Sequence, residues 1–360
     1  MKRLAIFIDG TWNEPTQHDK GHPAPTNVFQ LRSATPEIKE GSGPFQLVHY
    51  SEGVGATGNK LKDLYEGYSG SGTSDRIKEA YAWLIKNYAP GDQIYLFGFS
   101  RGAFAVRSLG GMIRKCGILR TNSAASIDDA YRFYRNTNAK SHPDKEIATR
   151  FRGAHAVEQT TRIHFIGVFD TVGALGNPLL PGLFISRFSQ FHDTTLSSTV
   201  SNAYQAVAIC ERRKLFLHTP WEQSLNEDGT PKNPQQVLEQ RWFIGAHADI
   251  GGGYHDNGLA RKTLLWMAEK AHQAGLTISP LPANGSGVCV CHDETVKNRL
   301  YQLMDPVDRP IDNTPTKITN EVLDESVLTL MRKQEKLEWL AKGYQPKGLF
   351  DYLARRGITI

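Results

Sequence analysis

A serine between two glycines stands where the chain passes from a strand-like segment to a helical one. The pentapeptide Gly98-Phe99-Ser100-Arg101-Gly102 follows the apolar run Gln93 to Phe97 and precedes Ala103 to Cys116, which has a helical pattern. A G-x-S-x-G turn is sharp and strained, and it exposes the serine hydroxyl at the N-terminus of the following helix. The pattern therefore predicts that Ser100 is a nucleophile and that the N–H of Arg101 stabilises an oxyanion. The alternative is a turn with only a structural role.

A serine nucleophile of this kind works with a carboxylate and a histidine, which follow it along the chain in that order. Asp170 comes directly after the apolar run Ile163 to Phe169, at the end of a predicted strand. The carboxyl ends of parallel strands meet at one edge of a sheet, where ligands bind. We therefore predict that Asp170 is the acid that orients the histidine. The alternative is an aspartate that caps the turn after the strand.

The candidate base lies in a glycine-rich segment, Gly245 to Tyr254, which follows the strand-like run Arg241 to Ile244. Such glycine density lets the backbone approach a site closely. His247 is favoured as the general base, and His255 is the alternative because it also lies near the end of this late strand. Asp249 competes with Asp170 as the orienting acid, unless it holds the glycine turn in place.

The first predicted strand ends in an Asp9-Gly10-Thr11 sequence, which is expected at the same edge of the sheet as Ser100. The N–H of Gly10 or Thr11 would complete the oxyanion hole, with Asp9 beside the bound substrate. An Asp-Gly-Thr sequence after a strand also resembles the nucleophile or metal-binding loops of phosphatases. A metal-dependent phosphodiesterase or phosphatase is therefore an alternative, although it leaves the serine turn unexplained. Its ligands would be Asp9, Asp170, His247 and Asp249.

Short apolar runs between turn residues predict buried strands, and an amphipathic helix between two of them begins near Ser74 and ends before Pro90-Gly91. Strands that alternate with helices predict an α/β fold with a mostly parallel sheet covered by helices on both faces. The 360 residues fit a single domain, residues 1–360, with insertions at about 120–162 and 176–240 over the active edge. The predicted strands are Leu4 to Ile8, Phe45 to Tyr50, Gln93 to Phe97, Ile163 to Phe169 and Arg241 to Ile244.

Composition and charge restrict the partners. The net charge is +5, from 42 Lys and Arg against 37 Asp and Glu, and it is spread along the whole chain. This balance is compatible with peripheral contact with an anionic membrane and argues against a nucleic-acid partner. Neither a secretory signal peptide nor a spanning helix is predicted. The chain is therefore expected in the cytoplasm after synthesis, and export would need a signal-independent machine.

The cysteines and one basic pair are candidates for metal and phosphate sites. Four cysteines are too few for a disulfide framework, and Cys289-Val290-Cys291-His292 lacks the spacing and the second cysteine pair of a zinc site. Neither a metal nor a cofactor is expected. Arg212 and Arg213, which follow Glu211, are interpreted as ion-pair residues, and contact with a phosphate headgroup is the alternative.

Seven separated segments, in the same order along the chain, resemble the α/β-hydrolase domain family that includes the type VI secretion lipase effectors of the phospholipase (Tle) type. The resemblance implies an α/β-hydrolase-like fold and a Ser-Asp-His hydrolase that acts on esters, with phospholipids as the substrates of the effector branch. It places Ser100, Asp170 and His247 in the roles given above. The segments are Phe7 to Asn13, Thr26 to Val28, Tyr50 to Gly55, Gly98 to Ala103, Phe169 to Gly176, Glu211 to Arg213 and Gly245 to Tyr254.

The predicted function is thus a serine hydrolase that cleaves carboxylic esters through an acyl-enzyme, as a phospholipase or lipid esterase. The substrate would be a lipid or another small ester, and the resemblance implies type VI export. One departure from the family is Asp324, which stands before Glu325-Ser326-Val327 where members tend to have a histidine. A non-catalytic binding module on a hydrolase scaffold is a further alternative.

Overall fold

The main sheet of the protein consists of parallel strands. A computed structural model describes residues 1–10, 13–39, 41, 45–53, 71–173, 194–281, 289–297, 306–312, 317–332, 337–339 and 343–360. Within these residues the main sheet has seven strands, each parallel to its neighbours. In chain order they are β1 (Arg3–Ile8), β2 (Gln46–Ser51), β3 (Gln93–Phe99), β4 (Ile163–Phe169), β5 (Val200–Ala208), β6 (Val237–Phe243) and β7 (Glu321–Leu323).

Ten α-helices are present in the described part of the chain. None of them combines the length and the apolar character that crossing a bilayer requires. Their bounds are α1 (Asn27–Ala34), α2 (Ser71–Asn87), α3 (Arg101–Cys116), α4 (Ile127–Arg135), α5 (Glu146–His155), α6 (His247–Gly251), α7 (Gly258–Gln273), α8 (Glu294–Lys297), α9 (Glu325–Arg332) and α10 (Lys347–Arg355).

Helices cover both faces of the sheet, whose strand order is β7-β6-β5-β4-β3-β1-β2. Side chains alternate along β1, so that Leu4 and Ile6 pack towards α2 and α3, whereas Ala5 and Phe7 pack towards α1 and α7. Strands buried on both faces form near-continuous apolar runs, which is why the runs could be recognised in the sequence. The predicted α/β fold with a mostly parallel sheet is confirmed.

One strand of the sheet lies inside a range that was predicted as an insertion. Strand β5 is a central strand and falls within residues 176–240, so this part of the range belongs to the sheet. Residues 176–193 of that range lie outside the described residues. Polar residues interrupt the apolar pattern of β5, among them Gln205, which is buried and bonded to Gln240. The other predicted insertion, 120–162, contains α4 and α5 and no strand of the main sheet. The assignment of the whole chain to one domain stays a prediction.

The candidate residues are placed by the ends of neighbouring strands. Asp9 follows β1, Ser100 follows β3 and Asp170 follows β4, so that all three lie at the carboxyl edge of the sheet. His247 opens α6, which begins four residues after the end of β6. The parallel topology therefore brings these side chains to one edge although they are far apart in the sequence.

Glycines allow the turn after β3 to press against the first strand. A Cβ atom on Gly102 would lie 2.1 Å from the backbone oxygen of Ile8 and 2.5 Å from that of Asp9. A Cβ on Gly98 would lie 2.5 Å from the backbone oxygen of Gly102. Both glycines of the pentapeptide are thus required by close backbone contacts.

The substitution Gly102→Ala should destabilise the protein, because the added methyl group forces the start of α3 away from β1. We expect the free energy of unfolding to fall by about 2–3 kcal/mol, which chemical denaturation would measure.

The matched control is Gly110→Ala in the same helix, where a Cβ would make only ordinary contacts at 3.4 Å and 3.5 Å with isoleucine side chains. Alanine favours a helix over glycine, so this variant should equal or exceed the wild type in stability. Equal losses in the two variants would contradict the steric explanation.

Candidate active site

The candidate nucleophile has an unusual backbone conformation. Ser100 has a φ of 57° and a ψ of −120° at the turn between β3 and α3. Residues with a side chain rarely adopt positive φ, and such strained residues cluster at active sites. Arg101 is the first residue of α3, so its N–H lies at the positive end of the helix dipole, directly after the serine. The turn thus places a strained serine at the positive end of a helix dipole.

A buried acid–base pair lies beside this turn. Asp170 Oδ2 is 2.5 Å from His247 Nδ1. The N–H of Ser100 donates to the carbonyl oxygen of Phe169, which directly precedes Asp170, at 3.0 Å. The ring centroids of Phe99 and His247 are 4.6 Å apart. Among the described residues no hydrogen bond joins Ser100 Oγ to His247, a contact that often tightens only in the substrate complex. The structure thus brings the three predicted triad residues to one place.

The environment of His247 keeps its imidazole neutral. The ring lies against Phe99 and Phe216, and the residue is buried. Burial lowers the pKa of His247 from its ordinary value of 6.5, and the hydrogen bond with Asp170 opposes this effect without cancelling it. A neutral imidazole that donates from Nδ1 to Asp170 has Nε2 available as a proton acceptor.

The carboxylate of Asp170 is ionised although it has no exposed surface. Burial alone would raise the pKa of Asp170, but the charge of Arg309 and the hydrogen bond with His247 hold it well below its usual range. Arg309 Nη1 lies 2.6 Å from Asp170 Oδ1, and Arg309 Nη2 lies 3.1 Å from Oδ2. The N–H of Ala208, at the end of β5, donates to Oδ1 at 3.0 Å.

Arg309 was not predicted as a site residue. It lies between Asp308 and Pro310, in a segment with no periodic pattern and no recognisable motif. An arginine contacts a carboxylate 139 positions away only because the fold brings the two segments together. No signal in the sequence alone would have identified it.

A second buried ion pair supports the backbone of His247. Glu211 accepts hydrogen bonds from Arg213 Nε at 2.9 Å and from Arg213 Nη2 at 2.7 Å. Glu211 Oε2 also accepts the N–H of His247 at 3.2 Å. Burial would raise the pKa of Glu211, but the charge of Arg213 lowers it below the ordinary value. Arg212 pairs with Asp293 at 3.0 Å, so both arginines form the ion pairs that were predicted.

The loop after β1 lies next to the serine. A Cβ atom on Gly10 would be 3.3 Å from the Cβ of Ser100. The N–H of Gly10 donates to Asp9 Oδ1 at 2.8 Å, and its role in an oxyanion hole stays a prediction. The N–H of Thr11, which was the other candidate, lies outside the described residues and stays a prediction.

Asp9 itself is buried below this loop. Its Oδ2 accepts hydrogen bonds from the hydroxyl groups of Thr26 at 2.6 Å and Tyr50 at 3.0 Å. Burial raises the pKa of Asp9 to about 6, although these hydrogen bonds and that of Gly10 oppose the increase. The carboxylate of Asp9 therefore has three hydrogen-bond donors, and in the described part of the chain none of them is Ser100.

The two rival candidates have other partners. Asp249 Oδ1 lies 2.7 Å from His292 Nδ1, and Asp249 Oδ2 accepts the N–H groups of Ala246 and His292 at 2.9 Å each. Asp249 thus holds the glycine turn that carries His247. His255 is exposed and stacks on His22, with 4.2 Å between the ring centroids.

The four ligands of the metal alternative are not gathered into one cluster. Asp9 is bonded to hydroxyl groups, Asp170 to Arg309 and His247, and Asp249 to His292. Within the ranges that the structure describes, no group of three or more His, Cys, Asp or Glu side chains is arranged to hold a metal ion. This arrangement offers no support for a carboxylate and histidine metal centre.

Comparisons with known proteins identify a family. A family model described as "T6SS, Phospholipase effector Tle1-like, catalytic domain" matches residues 2–270. An uncharacterized protein of Saccharomyces cerevisiae, YEL023C, is 27% identical over 293 residues, and the match covers 69% of this chain and 40% of that protein. The chain thus spans less than half the length of this relative. Ser100, Asp170 and His247 lie within the family-matched range, whereas His292 and Arg309 lie beyond it.

Three solved structures show a loose overall likeness. An uncharacterized protein from Pseudomonas aeruginosa has a TM-score of 0.40 and 17% identity, covering 77% of this chain and 46% of its own. The Tle1 effector bound to the VgrG spike of the type 6 secretion system has a TM-score of 0.38 and 21% identity, covering 71% and 52%. The butyrate-bound esterase Est2 from Thermogutta terrifontis has a TM-score of 0.36 and 14% identity, covering 79% and 86%. At these scores the fold assignment depends on the sheet topology of the chain itself.

The raised pKa of Asp9 predicts a stability effect. The folded protein, in which this pKa is about 6, binds a proton that the unfolded chain releases at its ordinary pKa of 3.8. The resulting stability is fully present below about pH 3.8 and is lost as the pH rises through about 6. The free energy of unfolding of the wild type, relative to that of Asp9→Asn, should therefore be about 1 kcal/mol higher at pH 5 than at pH 7. Urea denaturation of both proteins at each pH measures this difference, and a constant difference would contradict the prediction.

Proposed function

The chain belongs to the family of T6SS phospholipase effector Tle1-like catalytic domains, and from this premise we propose that it is a serine hydrolase that cleaves carboxylic esters. Ser100 is the nucleophile, His247 the general base and Asp170 the acid that orients it. The observation that carries the proposal is the 2.5 Å contact of Asp170 with His247 Nδ1 beside the strained turn of Ser100. A strained serine, a neutral imidazole and an ionised carboxylate are the parts that acyl transfer requires.

The first half of the reaction forms an acyl-enzyme. His247 Nε2 takes the proton of Ser100 Oγ while this oxygen attacks the ester carbonyl carbon. The ester C–O bond then breaks, and the leaving alcohol oxygen takes the proton from His247. Asp170 stays ionised throughout and stabilises the imidazolium that forms in between.

The second half repeats the chemistry with water. His247 takes a proton from water, the hydroxide oxygen attacks the acyl carbon, and Ser100 Oγ leaves with the proton returned from the imidazole. The N–H of Arg101 at the start of α3 stabilises the oxyanion in both halves, and the N–H of Thr11 is proposed as the second donor.

A phospholipid is the proposed substrate, because the family description names phospholipase effectors. The net charge of +5 agrees with an enzyme that works at an anionic lipid surface. Delivery by a type VI secretion system is proposed on the same basis of family membership.

The nucleophile is tested with a fluorophosphonate probe, which labels activated serines. The wild type should be labelled, and Ser100→Ala should lose both the label and ester hydrolysis, by about 10³-fold or more in kcat. The control is Ser33→Ala, since Ser33 is an exposed helical serine whose hydroxyl donates to the carbonyl oxygen of Phe29. Release of fatty acid from phospholipid vesicles then tests the substrate class.

Three results would contradict the assignment. If the folded wild type is not labelled and a chelator abolishes its hydrolysis, the metal-dependent alternative is favoured. A folded wild type with neither label nor turnover would favour a binding module. Near-normal turnover by Ser100→Ala would exclude Ser100 as the nucleophile.

The environment of His247 predicts the pH dependence of the reaction. The base must be neutral, and burial lowers its pKa below 6.5, so kcat/KM should fall on the acid side with a midpoint below pH 6.5. Hydrolysis of a soluble ester, measured from pH 5 to pH 8, gives this midpoint. A midpoint at or above pH 6.5 would show that burial does not dominate the proton affinity of the imidazole.

A further inference from the structure

We propose that Arg309 is a positioning residue for the triad, which holds the carboxylate of Asp170 in place and supplies the positive charge opposite it. This role rests on the proposed function of Ser100, Asp170 and His247. It assigns part of the active site to a segment beyond residues 2–270, the range that the family model matches.

The geometry of the contact fixes the orientation of the carboxylate. Two nitrogens of the Arg309 guanidinium meet the two oxygens of Asp170 at 2.6 Å and 3.1 Å, and both side chains are fully buried. A bidentate pair of this kind sets the carboxylate plane as well as its position. Oδ2 of the same carboxylate contacts His247 Nδ1, so a fixed carboxylate also fixes the orientation of the imidazole. The guanidinium is itself bonded to the carbonyl oxygens of Ala208 and Phe216.

The end of the chain holds Arg309 in place. Asp308 accepts hydrogen bonds from the hydroxyl of Tyr344 at 2.9 Å and from the N–H of Lys347 at 2.8 Å. Helix α10 approaches so closely that a Cβ on Gly348 would lie 1.9 Å from the backbone oxygen of Arg309. The segment that carries Arg309 is therefore docked against α10.

A second side chain from beyond the family-matched range supports the same site. His292 bonds to Asp249 through both its ring and its N–H, and Asp249 in turn bonds to the N–H of Ala246. Ala246 directly precedes His247. The turns that carry the acid and the base are thus each held by a residue from the C-terminal part of the chain.

Among the described residues, two buried carboxylates and two guanidiniums, one of them that of Arg309, lie around the acid–base pair. Asp170 and Glu211 are buried carboxylates, and Arg309 and Arg213 are the guanidiniums paired with them. His218 also faces this region, and burial lowers its pKa to about 3, so it adds no charge. Without Arg309 the site has a net negative charge, which favours proton uptake by the Asp170–His247 pair.

The test compares three full-length variants. Arg309→Gln removes the charge and the bidentate contact, whereas Arg309→Lys keeps the charge on a single ammonium group that cannot form the bidentate contact. The control is Arg355→Gln, because Arg355 donates to the backbone oxygen of Ile311 in the same segment at 2.6 Å without touching the triad. Each folded variant is assayed for kcat, KM and the pH dependence of kcat/KM, and the wild type is labelled with a fluorophosphonate.

Arg309→Gln should lower kcat by about 10- to 100-fold with little change in KM, since the base is misplaced while the substrate site is intact. The acid-side midpoint of kcat/KM should move up by about one pH unit, because the pair holds its proton to higher pH. Arg309→Lys should lower kcat while the midpoint stays near that of the wild type. Arg355→Gln should match the wild type in both.

Several outcomes would overturn the role of Arg309. An unchanged kcat in Arg309→Gln would do so, and so would a lower kcat with an unmoved midpoint, since a purely structural role has that effect. If Arg309→Gln does not fold, Arg309→Lys decides: a lower kcat with an unchanged KM supports the role, whereas a wild-type kcat, or a lower kcat together with a raised KM, excludes it. A wild type that does not label shows instead that the proposed triad is wrong.

Discussion

A carboxylate with no exposed surface is the constraint on which the site depends. An isolated buried charge costs several kcal/mol, and Asp170 is compatible with folding only because every oxygen has a partner. These partners come from three distant segments, namely Ala208 at the end of β5, His247 at the start of α6, and Arg309. The sheet, the glycine turn and the C-terminal segment must therefore all be in place before the acid can be ionised. The site can therefore form only when the fold around it is complete.

Close backbone contact imposes a second constraint at the same edge. Some glycines at this edge stand where a Cβ would collide with another backbone: one on Gly53 would lie 1.7 Å from the oxygen of Gly10, and one on Gly102 would lie 2.1 Å from that of Ile8. The strained φ of Ser100 persists because strand β3 before it and helix α3 after it fix the backbone. The strain is thus a consequence of packing.

Buried polar networks explain where the sequence pattern misleads. Strand β5 carries Gln205, which is bonded to Thr171 at 2.5 Å and to Gln240 at 2.9 Å. Such residues interrupt an apolar run, so a central strand resembles an irregular loop in the sequence. Strand β4, by contrast, has no polar residue at a buried position, and its predicted bounds are the same as those in the structure. Polar groups inside a core are stable when they are hydrogen-bonded to each other, and a search for apolar runs does not detect such hydrogen bonds.

The sequence by itself determined the parallel α/β sheet, the serine turn, and the strand ends at which Asp170 and His247 stand. These features depend on local patterns, namely apolar periodicity, glycine spacing and residue order, which are visible without a structure. Only the tertiary structure decided that His247 and not His255 contacts Asp170, that Asp249 holds a turn, and that Arg309 pairs with Asp170. These are contacts between segments tens to more than a hundred residues apart, and their partners are selected by burial and charge compensation in the folded chain.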